Sequence, residues 1–307
     1  MTVEAFLRRG VYCVRGCPSL STPTWMRAMS SVSAPTAAAR SPGEYEESST
    51  TATDASNAVQ RVLVFGGSGY VGRRVCRSLL DVARSCGRGV SVASVSRGGR
   101  FTQSEPWAND INWLRADATS LIDGDGGADA ATITAALRDA DAVVSCIGAF
   151  GSDSFMERVN GDVNVSLARA FASTATAHTS ARFVFVSSAE FPLLPSFVLG
   201  GYFRGKRNAE AEAAAVFGGR ATILRPSFVH GSRDVPGGLR IPLHLVGVPL
   251  ERACSAILPS VSPVSVDVVG RAAAAAALNG NGNAGADGDA AAFWDYATML
   301  ERSNRGA

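Results

Sequence analysis

Lysine is almost missing from this chain. Among 29 lysines plus arginines in 307 residues, a single one, Lys206, is a lysine. Acids number 27, which leaves a net charge of only +2. A balance so near neutral excludes the basic footprint of a nucleic-acid binder. Histidine is scarce, at positions 178, 230 and 244, and the cysteines at 13, 17, 76, 86, 146 and 254 form no CxxC pair. That removes the usual ligand spacings of a metal site, and none is expected. Two of the cysteines fall in the first 43 residues; the others read as small buried hydrophobes in a reducing compartment. No uncharged apolar run reaches the roughly 18 residues that a membrane span needs. With lysine so rare, the place where one is kept becomes informative.

Residues 1–43 carry arginines at 8, 9, 15, 27 and 40 against one acid, Glu4, in a background of Ser, Thr and Ala. In MTVEAFLRRGVYCVRG, Phe6, Leu7 and Val11 can share one helical face while Arg8, Arg9 and Arg15 lie largely on others. This is the composition of an organelle transit peptide. A positive amphipathic presequence suits import across an energised membrane, so the expectation is a mitochondrion, on the matrix side, with a plastid as the alternative. Residues 44–58 read as a solvated linker, and the folded part is expected from residue 59.

From there strands and helices alternate. RVLVF (61–65), VSVASVSR (90–97), INWLRAD (111–117), DAVVSCIG (141–148), ARFVFVSS (181–188) and ATILRPS (221–227) read as strands. Apolar residues at 71, 75, 79, 80 and 82 mark a helix, and 132–137, 153–177 and 197–217 mark others. Continuously apolar strands alternating with helices predict an α/β fold, a doubly wound parallel sheet of Rossmann type over 59–227. Residues 228–300 are expected to form a small C-terminal substrate cap. DGDGGADAA (123–131) and NGNGNAGADGDAAA (279–292) read as loops.

Three motifs carry chemistry. The first is Gly66-Gly67-Ser68-Gly69-Tyr70-Val71-Gly72, between a strand and a helix. A tight turn, close backbone approach and a helix N-terminus suit a pyrophosphate. The second is Arg97, with Arg100 three residues on, where an acid would bind a ribose 2′-hydroxyl. Arginine instead suits a 2′-phosphate and points to NADP(H) over NAD(H). Asp117 is a candidate for the adenine ring, and Gly148 for close passage of the chain past the cofactor. The third is Tyr202 with Lys206, which share a helix face at i and i+4. An ammonium beside a phenol is expected to lower its pKa and fit it to exchange a proton while hydride moves. A compact ammonium can also reach ribose hydroxyls, which accounts for a lysine where arginine is otherwise the rule. Ser187 or Ser188 is placed to hold the substrate oxygen.

Together, FGGSGYVG, VNGDVN (159–164), RFVFVSSAEF, GYFRGKRNAE, LRPSFVHG (224–231) and PVSVDVVGRAA (263–273) resemble the short-chain dehydrogenase/reductase superfamily, in its extended or atypical branch. The resemblance implies that Asn160 belongs to the catalytic set and that 263–273 returns to the core after the cap. More narrowly, the chain resembles an organellar subgroup that includes a fungal reductase linked to coenzyme Q biosynthesis and a Rossmann-like accessory subunit of respiratory complex I. That likeness implies an apolar, quinone-related substrate and peripheral association with an inner-membrane complex. It also keeps open a non-catalytic use of NADPH, as a structural or assembly element. His230 stands where many relatives carry tyrosine. The stretch IPLHLVGVPLERACSAIL (241–258) could line an apolar pocket, rest on a bilayer or pack as a cap helix.

Overall fold

A computed structural model of the chain describes residues 59–101, 105–124, 126–174, 180–190, 199–234, 240–242, 262–279 and 290–305. The expected transit peptide and linker lie outside these residues, as does the apolar stretch 241–258 apart from its first two positions.

Strands form where apolar residues can serve two faces at once. β1 (Gln60–Phe65) sends Val62 and Val64 to one side and Leu63 and Phe65 to the other, and all four are buried. β2 (Val90–Ser96) splits Val92 from Ala93 and Val95 in the same way. This two-sided burial is the mark of an interior parallel strand. β3 (Asn112–Arg115), β4 (Ala142–Ser145), β5 (Arg182–Val186) and β6 (Ala221–Leu224) extend the sheet. Four short strands stand outside it: β7 (Val229–His230), β8 (Ser232–Asp234), β9 (Arg240–Pro242) and β10 (Val264–Ser265). β7 pairs with β10 in parallel and β8 with β9 antiparallel. β11 (Ala292–Trp294) returns to the main sheet, whose seven parallel strands run β11-β6-β5-β4-β1-β2-β3.

Helices cover both faces. α1 (Gly72–Cys86) lies on one side; α2 (Ser120–Asp123) and α3 (Ala128–Arg138) follow β3. α4 (Asp153–Glu157) runs through a π turn, Arg158–Asp162, into α5 (Val163–Thr174). α6 (Gly200–Phe217) precedes β6, α7 (Val266–Asn279) follows β10, and α8 (Tyr296–Arg305) follows β11. One apolar core joins α1, α7 and α8 to the sheet, and a second joins α3, α5 and α6 to its other face. The doubly wound α/β fold is therefore present. No described helix is long and apolar enough to cross a membrane.

Two features depart from the expected layout. α7 packs on α1 and the sheet, the return to the core that the resemblance implies for 263–273, while β11, read as part of the cap, forms the sheet edge beside β6. The Rossmann core thus continues past residue 227. The alanines of α7, Ala272 to Ala277, are all buried, because small side chains let a helix lie close on its neighbour. The helix read as continuous over 153–177 is interrupted at Asn160 by the π turn.

Candidate active site

The order of the sheet reverses between β1 and β4, whose carboxyl ends open the crevice where doubly wound folds bind ligands. β1 leads into Gly66, which adopts φ +78°, a conformation L side chains rarely take. Its N–H donates to Val95 O at 2.8 Å, and Gly69 N–H donates to Gly66 O at 2.9 Å. A Cβ at Gly72 would collide with Gly66 O, and one at Gly67 with the Ser94 side chain. No side chain caps α1. Arg73 N–H donates instead to Gly69 O at 3.1 Å and Arg74 N–H to Val71 O at 2.9 Å, so the loop Ser68-Gly69-Tyr70-Val71 folds onto the helix start.

The crevice has two lobes that share Gly69 and the segment Cys146–Ala149. The first, of about 630 Å³, is lined by Gly66, Ser68, Arg97, Asp117 and neighbours. Arg97 is exposed at its rim and makes no hydrogen bond or ion pair with the described residues. Arg100 turns away from the lobe to bond Asn109. Asp117 accepts from Thr119 N–H at 3.0 Å, holding its carboxylate at the wall.

The second lobe, of about 860 Å³, gathers Tyr202, Lys206, Ser187, Ser188 and Gly148. Lys206 is only 3% exposed. Its Nζ donates to Val186 O at 2.8 Å and to Ile147 O at 3.1 Å, and lies 4.7 Å from the Phe185 ring centroid. An ammonium has three donors, so these two carbonyls leave one for a ligand hydroxyl. Burial pulls its pKa down to about 8, against the opposing pull of Cys146 and Glu210. The adjoining Cys146 thiol is pushed up to about 12 by the same desolvation. A Cβ at Gly148 would come within 2.9 Å of Asn160 Oδ1 and 3.5 Å of Lys206 Nζ, so glycine is what lets both approach.

Asn160 is fully buried in the π turn and does not reach the lobe directly. Its Nδ2 donates to Met156 O (2.7 Å) and Ala149 O (2.9 Å), and its Oδ1 accepts from Ala149 N–H (3.3 Å). It clamps the Cys146–Ala149 wall.

Tyr202 corrects one expectation. Burial raises its phenol pKa, while Ser188 and the Arg207 charge act against the rise. Lys206 Nζ stands 5.9 Å from the Tyr202 ring centroid, and its charge is turned to the two carbonyls. The phenol is held in its acid form rather than poised towards phenolate. Ser187 and Ser188 both line the lobe; Ser187 Oγ is buried without a hydrogen-bond partner, while the Ser188 hydroxyl faces Tyr202. An orphaned hydroxyl such as that of Ser187 suits a ligand oxygen.

Tyr202 and Lys206 owe their position to the small face of α6. Gly201, Gly205, Ala209 and Ala213 recur every four residues and are buried. A Cβ at Gly205 would stand 2.8 Å from Gly161 N and 2.9 Å from Glu157 O. Asp153 accepts from Gly201 N–H at 2.6 Å and, with Glu157, pairs with Arg204. On the far side Glu210, 3% exposed, bridges Arg207 (2.8 Å) and Arg225 (2.5 Å), and Arg207 donates to Ser188 O. Sequence reasoning missed this brace, although Glu210 lies one further i+4 step beyond Lys206. It also missed Phe150 and Phe228, which line the lobe and carry no spacing signal.

The family described as NAD(P)H-binding matches residues 66–241, from the glycine loop through Lys206 and beyond. The chain belongs to this family. A glycine cradle with no room for side chains, an arginine at its rim without a partner among the described residues and the orphaned Ser187 hydroxyl beside Lys206 all fit an NAD(P)H. An uncharacterized chloroplastic protein of Arabidopsis thaliana is 36% identical over 193 residues, 63% of this chain. The match spans 58% of that relative's length. Among solved structures, a Tyr→Phe variant of ElxO with NADPH bound superposes with TM-score 0.53 at 16% identity, over 78% of this chain and 98% of that one. A proposed epimerase from Burkholderia cenocepacia J2315 gives 0.51 at 19% identity, over 80% of each chain. These likenesses extend the Rossmann-type fold of the NAD(P)H-binding chain to epimerase- and reductase-type proteins. Among the described residues no group of His, Cys, Asp or Glu is placed to hold a metal.

Proposed function

We propose that the protein is an NADP(H)-dependent oxidoreductase that interconverts a carbonyl and a hydroxyl on an apolar small molecule. The observation that carries this reading is the convergence of Tyr202, Lys206, Ser187 and Ser188 on one lobe, joined through Gly69 and Gly148 to a lobe with Arg97 at its rim. A nicotinamide cofactor, when bound, would supply or accept the hydride. Tyr202 OH gives the substrate oxygen its proton in reduction and takes it back in oxidation. Its raised pKa keeps that proton on the phenol through neutral pH. Ser187 or Ser188 donates to the same oxygen, and Lys206 holds the ribose with its remaining N–H. Asn160 positions the wall behind them. Isoprenoid-quinone precursors are among the compounds such a lobe could take. The Arabidopsis relative's chloroplast location favours a plastid over the mitochondrion first expected.

A second reading, a non-catalytic holder of NADPH that docks on a membrane complex, is favoured by one observation: Lys206 already serves two backbone carbonyls and leaves Tyr202 unactivated. Fluorescence titration with NADPH and NADH, followed by NADPH oxidation with short-chain quinones and ketones, separates the two. Turnover supports the enzyme; tight binding without turnover on any acceptor supports the holder. Arg97→Ala is expected to weaken NADPH by about 10- to 100-fold while leaving NADH unchanged, the worth of one charge-assisted phosphate contact. Equal loss for both nucleotides would remove Arg97 from that role.

A further inference from the structure

The second lobe has an unusual wall. Five of its 21 lining residues are aromatic (Tyr70, Phe150, Tyr202, Phe203 and Phe228) in a chain that is 7% aromatic. Charged residues make up 18% of the chain, yet among the described residues Lys206 is the only one on this wall. Even in a chain rich in arginine, none lines the lobe among the described residues. A pyrophosphate-bearing or carboxylated substrate would find no free cation there among the described residues beyond Lys206, whose Nζ is already bonded twice.

Exposure adds a second observation. Five large apolar side chains stand exposed among the described residues, and three of them, Phe150, Phe228 and Phe155, line the two lobes. Phe150 is 63% exposed. One face of its ring lies against Tyr202, with centroids 5.0 Å apart and planes at 11°. Phe203 meets Tyr202 edge-on at 5.4 Å and 88°. A substrate carbonyl at the Tyr202 hydroxyl therefore places its attached group among aromatic rings. Flat rings prefer to meet other flat rings by offset stacking or edge-to-face contact, a preference beyond simple area burial. Apolar surface left open at a cleft mouth is surface that a ligand can cover.

We infer that the lobe takes an uncharged aromatic carbonyl compound, with Phe150 as the specificity-determining platform for its ring. This rests on the oxidoreductase reading for the placement of the carbonyl, but its test does not need turnover. The full chain, loaded with NADPH, is titrated calorimetrically with 2-acetylnaphthalene and with its saturated counterpart, 2-acetyldecalin. Wild type is expected to bind the flat ketone about tenfold more tightly. Phe150→Leu keeps an apolar side chain at an exposed position, so its NADPH affinity stays at wild type, but the preference falls to about twofold or less. Tyr202→Phe removes the proton and keeps the stacked ring, so the preference survives there. Equal affinities in wild type, a preference untouched in Phe150→Leu, or binding of neither ketone would each overturn the inference. A preserved aromatic preference without NADPH oxidation would sink the enzyme reading and leave this one standing. Turnover of aliphatic and aromatic ketones alike would do the reverse.

Discussion

Lys206 pairs a nearly complete loss of solvent with only two carbonyl acceptors, and the imbalance sets a pH dependence. In the folded chain its pKa falls from 10.5 to about 8 because burial penalises the charge. Below pH 8 both folded and unfolded chains hold the proton, and the burial penalty is fully present. Between 8 and 10.5 the folded chain releases the proton while the unfolded chain keeps it, so stability rises with pH. The stability of wild type relative to Lys206→Met is expected to rise by about 2 kcal/mol between pH 7.5 and pH 10. Urea unfolding of both proteins at pH 7.5 and pH 10 reads it. A difference that stays level would mean that the ammonium is better solvated than its bonds to Ile147 and Val186 imply. The same residue shows what a sequence can disclose. A lone lysine four residues after a tyrosine stands out without any structure. Its two carbonyl partners lie 59 and 20 residues away in sequence, so the direction of its charge, and the raised rather than lowered Tyr202 pKa, could not be read locally.

Helix α6 delivers that pair to the crevice through a close crossing with the π turn at Arg158–Asp162. Gly205→Ala puts a methyl group 2.8–2.9 Å from backbone atoms of Gly161 and Glu157, which cannot fold aside as a flexible side chain would. The expected cost is about 1–3 kcal/mol, read as a fall of several degrees in thermal midpoint. Asn208→Ala, on the exposed face of the same helix, should stay within about 0.5 kcal/mol. Equal effects from both would place the tight crossing elsewhere. At this scale legibility follows locality. The strand, glycine turn and helix of 60–86 announce themselves because steric demands act within a dozen residues. The small face of α6 is equally periodic, though its partner is not. The π turn escapes because DSFMERVNGDVNVSLA has an ordinary helical period; only its fit against α6 and the Cys146–Ala149 wall distinguishes it.

At the scale of the whole molecule, the chain after Asn279 completes the core. β11 is three residues long and earns its place by pairing with β6, while Trp294 and Met299 are buried at 3% and 0% exposure. So short a strand after a Gly/Asn-rich stretch carries no periodic signal, which is why its segment reads as cap or loop. A chain ending at Asn279 leaves the β6 edge open and uncovers the outer side of α7. Its urea transition is expected to broaden or vanish, with aggregation in its place. A sharp transition at wild-type midpoint would show that β11 and α8 are an appendage.

The proposed function turns on Tyr202 as the proton donor. Its most direct test is NADPH oxidation with a panel of apolar quinones and ketones by wild type and Tyr202→Phe, alongside NADPH titration of each. The arrangement predicts equal NADPH affinity in the two proteins and a fall in turnover of about 100-fold or more in the variant. Turnover that survives the loss of the hydroxyl, or NADPH binding with no turnover in wild type, would contradict it.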